Sequence, residues 1–147
     1  MAFLLYAFGA SLCWGVSYAV SEQLLRKISV AAVMVTTSTA TLAFALCLGL
    51  VGNSFAQDFD TLKKTSGAFP LVAISIVVYV AANCFILLST KSKNATMAAM
   101  VEITYPLFTA LFAWLFFRQV QVTAGTLLGA GLILAGVSCI YYFGKNI

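Results

Sequence analysis

The stretch Ala95–Gln119, ATMAAMVEITYPLFTALFAWLFFRQ, decides how the chain is read. Its apolar run is long enough to cross a bilayer, for which roughly 20 helical residues suffice. One acid, Glu102, sits well inside it, and Pro106 follows four residues later. Proline has no amide hydrogen, so in a helix the Glu102 carbonyl loses its partner beside a carboxyl group in apolar surroundings. Thr104, Tyr105 and Thr109 supply nearby hydroxyls. An ionisable side chain at membrane depth is costly and points to a substrate or ion pathway. The bland alternative is an interhelical hydrogen bond without a transport role.

Composition carries the same reading outward. Hydrophobic residues make up 63% of the 147 and charged residues 8%, with a mean hydropathy of +1.04. Soluble domains are roughly half apolar and a quarter charged. A soluble fold of this size would still expose about a third of its area, so the composition implies an integral membrane protein. The net charge of +4 is scattered, which leaves no basic patch for nucleic acid. Histidine is absent, removing the commonest general base and metal ligand. Cys13, Cys47, Cys84 and Cys139 fall in separate apolar runs without CxxC spacing, so no metal, redox pair or cofactor is expected.

Four more apolar runs accompany residues 95–117, at about 2–21, 30–51, 71–90 and 122–143. The expected fold is an all-α integral membrane protein of five transmembrane helices. The first run lacks a positive n-region, which argues for a membrane helix over a cleaved signal. Ser11, Trp14, Tyr18 and Glu22 form one stripe on it at i, i+3, i+4 spacing. Tyr18 and Glu22 suit an interface belt, whereas Ser11 and Trp14 either line a cavity or pack. The second run contains TTSTAT, Thr36–Thr41, whose hydroxyls can bond back to carbonyls and pack against a neighbour or face a cavity.

Residues 52–70 are the one substantial loop. In it Phe55, Phe59 and Leu62 share a helical face opposite Asp58, Lys63 and Lys64, the pattern of a short helix on the membrane surface, with a plain polar loop as the alternative. On the third run Ser75, Tyr79 and Asn83 make a polar stripe at i, i+4, i+8. Lipid cannot satisfy the Asn83 amide, so another helix or a wet cavity must. Asn94-Ala95-Thr96 matches a glycosylation sequon but abuts a membrane helix, which makes it a chance match. On the fifth run Gly125, Gly129 and Gly136 share a face, widened by Gly131 and Ala135. Small residues let membrane helices approach closely, so this is a packing surface for a second helix. Tyr141, Tyr142, Phe143 and Lys145 close the run at the interface.

TYPLFTALFAWLFF followed by LLGAGLILAGV resembles the end of a repeat unit of the drug/metabolite transporter superfamily, EamA type. ASLCWGVSYAV resembles that unit's opening helix. Two departures stand out: Arg118-Gln119 replaces the family's usual Gly-Glu pair, and the Thr/Ser run replaces an arginine in the second helix. Most relatives carry two units in ten helices, whereas this chain carries one half-transporter bundle. It is also similar to the small multidrug resistance proteins, which work as dimers. Their last helix packs through a face similar to Gly131–Val137, although their essential glutamate lies in the first helix. The resemblance implies a bacterial inner membrane location and a dimer of five-helix units, parallel or antiparallel, or pairing with a related chain.

Five spans place Arg26, Lys27, Lys91, Lys93 and Lys145 on one side and Lys63, Lys64 and Arg118 on the other. The lysine/arginine rule then puts the C-terminus inside, with a bias small enough to suit an antiparallel dimer. The expected function is secondary transport of a small metabolite or organic cation coupled to protons or cations. Burial disfavours the charged form of a carboxyl, which suits Glu102 to coupling. Trp14, Tyr18, Tyr79, Asn83 and Tyr105 are the expected substrate lining, aromatic faces suiting a cation. A non-transporting membrane subunit is the alternative. With no histidine, no paired acid at depth and no phosphate loop, an enzyme is not expected.

Overall fold

The computed structural model describes residues 2–52, 54–120 and 122–144. Its helices are α1 (Ala2–Leu25), α2 (Val30–Gly52), α3 (Phe55–Lys64), α4 (Ala68–Ser92), α5 (Ala95–Glu102), α6 (Tyr105–Phe117) and α7 (Ala124–Phe143). No strand occurs among the described residues. Five segments are long and apolar enough to cross a membrane: α1, α2, α4, the broken α5–α6 pair over Ala95–Phe117, and α7. The protein is therefore an all-α membrane bundle. Lys145, expected to close α7, lies outside the described residues.

The helices meet most tightly at one end. Leu25 at the close of α1, Val33 early in α2 and Leu87 late in α4 form a buried knot, flanked by Val30, Met34 and Ile86. Val33 is 1% exposed. Ala95 and Ala98 are also buried, and their small side chains let α5 come close to α1 and α4. Elsewhere the large apolar side chains face outward, as Phe3 and Leu128 do. Lipid tails are as apolar as leucine, so outward exposure carries no penalty there. Arg26, Lys91 and Lys93 surround one polar pocket beside Glu22 and Thr90. The Lys93 ammonium donates to the Gly144 carbonyl at 3.5 Å, so α7 ends on this same side.

Several helix ends differ from the apolar runs because polar groups set them. The Asn94 side chain accepts from the Met97 amide at 2.8 Å and starts α5, so the sequon match is occupied as a helix cap. Thr123 starts α7 through a capping box with Thr126. The surface segment does form a helix, α3, and the Phe55 ring lies where a side chain on Gly49 of α2 would stand. Lys63 does not stay opposite the aromatic face, since its ammonium lies over the Phe59 ring, 4.8 Å from the centroid.

The fourth span breaks between α5 and α6. Ile103 donates to Ala99 (3.1 Å), Thr104 to Val101 (3.3 Å) and Leu107 to Thr104 (3.0 Å), and none of these bonds reaches the Glu102 carbonyl. Pro106 then lies in the first turn of α6, where its missing amide hydrogen costs nothing. At the far end of α6 the chain turns through Arg118, whose φ of 56° is left-handed. The Gln119 amide reaches the Ala113 carbonyl at 3.1 Å and that of Arg118 reaches Trp114 at 3.0 Å, the latter being the bond of an αL helix end, whose left-handed position favours glycine. A side chain with Cβ there costs roughly 1–2 kcal/mol. The Arg118 guanidinium stacks over Trp114 at 5.8 Å and offsets part of that cost. Arg118→Ala keeps the strain and loses the stack, whereas Arg118→Gly relieves the strain. Thermal unfolding in detergent should therefore find the glycine variant more stable than the alanine variant by about 1 kcal/mol.

Candidate functional site

The site begins with the hydroxyls of α2. Thr36 donates to Ala32 at 3.0 Å, Thr37 to Val33 at 2.8 Å and Thr41 to Thr37 at 2.9 Å. Each hydroxyl hydrogen is thus satisfied within its own helix, as membrane helices allow, and each oxygen keeps acceptor capacity. Thr37, Ser38 and Thr41 face Trp14, Ser17 and Tyr18 of α1 and Tyr79 and Asn83 of α4 across a cleft of about 610 Å³. Its floor is the buried knot, because Val33 and Leu87 also line it. No lining residue of this cleft carries a charge.

Four of the five expected lining residues, Trp14, Tyr18, Tyr79 and Asn83, come together here. Trp14 and Tyr18 stand one turn apart with ring centroids 5.6 Å apart and planes tilted by 33°, presenting a continuous aromatic wall. The Asn83 amide donates to the Tyr79 carbonyl at 2.9 Å, so its side chain is partly satisfied by its own helix, and its carbonyl oxygen retains acceptor capacity. Ser75 bonds to Val72 at 2.8 Å and is not part of the lining, nor is Ser11. The α2 hydroxyls are the lining residues that sequence reasoning left open. Their signal was the i, i+4 spacing of Thr37 and Thr41 on an apolar helix.

Glu102 does not line the cleft. It lies behind it, at the end of α5, and is half-buried. The Tyr18 hydroxyl donates to its Oε2, so one cleft residue touches the intramembrane acid directly. Thr104 and Thr109, expected as neighbouring hydroxyls, instead donate to the carbonyls of Val101 at 2.9 Å and Tyr105 at 3.1 Å.

Tyr105 departs from expectation. With Pro106 it lines a second, apolar cleft of about 930 Å³ between α6 and α7, which also takes in Phe3, Trp114 and Gly129. The break at Ile103–Thr104 separates α6 from α5, and Tyr105 lines the second cleft and not the first. Gly129, Gly131 and Gly136 have no side chain within reach of an added Cβ, and Gly125 has only Thr123. The small-residue face of α7 is thus left open within one chain.

Glu22 also differs from its expected place in an interface belt. Its Oε2 accepts from the Ala95 amide at 2.8 Å and its Oε1 from Arg26 at 2.9 Å. A carboxylate at a helix N-terminus satisfies an orphan amide and opposes the helix dipole. Among the described residues, no three side chains of histidine, cysteine, aspartate or glutamate gather as metal ligands.

Five membrane-crossing segments, three of which (α1, α2 and α4) line the first cleft, define a polytopic membrane protein. The chain matches the EamA-like transporter family over residues 1–142 and belongs to that family, within the drug/metabolite transporter superfamily. It is thus a membrane transporter of that type. No curated protein and no solved structure matches the chain.

The cleft lining predicts water access. In a background lacking Cys13, Cys47, Cys84 and Cys139, cysteines at Thr41 and Asn83 should react with a small membrane-impermeant thiol reagent. A cysteine at outward-facing Leu128 should stay protected. Protection at both cleft positions would make the cleft a dry packing seam.

Proposed function

We propose that this chain is a small-molecule secondary transporter that binds its solute between α1, α2 and α4 and couples movement to protons or cations through Glu102. The observation that carries the reading is the single hydrogen bond from the cleft residue Tyr18 to that acid. The solute class is a small metabolite or organic cation. The lining offers aromatic faces, hydroxyls and one carboxamide but no charge, so a cation would meet ring quadrupoles with Glu102 as the nearby countercharge. The proposed site of action is the bacterial inner membrane.

The test is uptake and efflux in proteoliposomes, screened across organic cations, amino acids and amphipathic drugs, with and without a pH gradient. Glu102→Gln is close in shape but cannot carry a proton. It should retain solute binding and lose gradient-driven accumulation, and a variant that accumulates solute as the parent does across pH would remove the coupling role.

The working unit in this proposal is a pair of chains, since one five-helix bundle leaves the cleft open toward the bilayer. The support is the bare glycine face of α7, which suits backbone approach by a second helix. Gly136→Leu would hold two such helices apart and forfeit dispersion contacts. The dimer fraction in bilayers should fall severalfold, and transport with it. An unchanged dimer would move the contact to another helix.

A further inference from the structure

Tyr18 holds a position no other cleft residue shares. Its ring forms part of the cleft wall beside Trp14, and its hydroxyl is bonded to Glu102. Glu102 itself is outside the lining, so a solute in the cleft meets Tyr18 first. We propose that Tyr18 makes proton exchange at Glu102 depend on what occupies the cleft. Tyr18 is then a positioning residue that acts through Glu102. This rests on the reading that Glu102 is the coupling acid.

The physical argument follows the hydrogen bond. A donor to a carboxylate favours its charged form, and apolar surroundings disfavour it. While the Tyr18 hydroxyl donates to Oε2, the charge is supported. When an occupant draws the phenol toward itself, the carboxylate loses that donor beside a helix break. The Glu102 carbonyl is already without an amide among the turn bonds there. The carboxylate then takes a proton from water and returns it when the bond re-forms. As the carboxyl O–H forms, an O–H of hydronium in the adjoining water breaks and leaves neutral water, and the reverse step returns the proton to water.

The other ionisable groups are placed so as not to substitute for Tyr18. Tyr105, at the start of α6, lines the second cleft. Tyr79 of α4 lies in the first cleft with Tyr18. Glu22 of α1 and Lys91 of α4, with Arg26 and Lys93 just beyond those two helices, gather at the polar pocket at the bundle end. From Tyr18 to that end is one further turn of α1. Gly144, just past α7, lies against Met97 of α5, so α7 approaches α5 near that charged end.

The test needs no knowledge of the natural solute. Dicyclohexylcarbodiimide modifies protonated carboxyls in apolar sites, and its rate at Glu102 is read by intact mass, with Glu102→Gln as the assignment control. Tyr18→Phe keeps the ring and removes the donor, so labelling should become about tenfold faster, the size expected for losing a hydrogen bond to a charged group. Tyr6→Phe removes an exposed phenol of α1 that lines neither cleft and should leave the rate unchanged. In the cysteine-free background, Asn83→Cys modified with a trimethylammonium thiosulfonate fills the cleft covalently. That occupant should change the Glu102 rate severalfold when Tyr18 is present and not in the Tyr18→Phe variant.

Equal rates for the parent and Tyr18→Phe, or an occupant effect that persists without the hydroxyl, would overturn the proposal. So would failure of the reagent to reach the Asn83 position. Should Tyr18→Phe fail to fold, the occupant effect in the Tyr18 background decides alone, and its absence overturns the idea. Transport by Glu102→Gln at the parental rate would sink the coupling reading separately, because the labelling rates do not depend on transport.

Discussion

Everything at the centre of this bundle depends on the register between α1 and α5. The two run antiparallel: Tyr18 meets Glu102 while Glu22, one turn later, meets Ala95 at the other end of α5. Burial of apolar surface cannot hold helices together in lipid, so close packing and interhelical hydrogen bonds must. These two bonds are of that kind. One closes the start of α5 and the other its end, so the short helix is clamped at both termini. Small side chains at Ala95 and Ala98 let its backbone sit near enough for the carboxylates to reach.

Pro106 gives that clamp a consequence. The break at Ile103–Thr104 lets α6 leave the line of α5, and Tyr105 accordingly goes to a different cleft from Tyr18. The acid therefore stands at the junction between a well-packed end, built on Leu25, Val33 and Leu87, and a loosely attached pair, α6 and α7. The charge distribution follows the same division, with Arg26, Lys91 and Lys93 collected at the packed end.

The cleft owes its character to what its hydroxyls do with their protons. Thr37 and Thr41 spend them on their own helix. Their oxygens then line the cleft without leaving an unsatisfied donor in an apolar setting. Combined with the Trp14–Tyr18 wall, this yields a surface with acceptors and π faces. The Glu102 carboxyl is held one hydrogen bond away, through Tyr18.

Composition and periodicity by themselves determined that the chain crosses the membrane five times, because an apolar run of span length has no other stable home and must be helical to satisfy its backbone. They also marked Glu102, and the stripe through Tyr79 and Asn83, because polar groups at that depth are costly enough to stand out. Helical spacing on α1 brought Trp14, Tyr18 and Glu22 onto one face. What it could not decide was which partner each residue meets, since that depends on how helices distant in sequence are set against one another. Only the tertiary structure separated Tyr105 from the other lining residues, turned Glu22 from a surface belt into the cap of α5, and brought the α2 hydroxyls into the cleft. The reason is geometric: a residue's face on its own helix follows from periodicity, whereas what lies opposite it is settled by packing between helices.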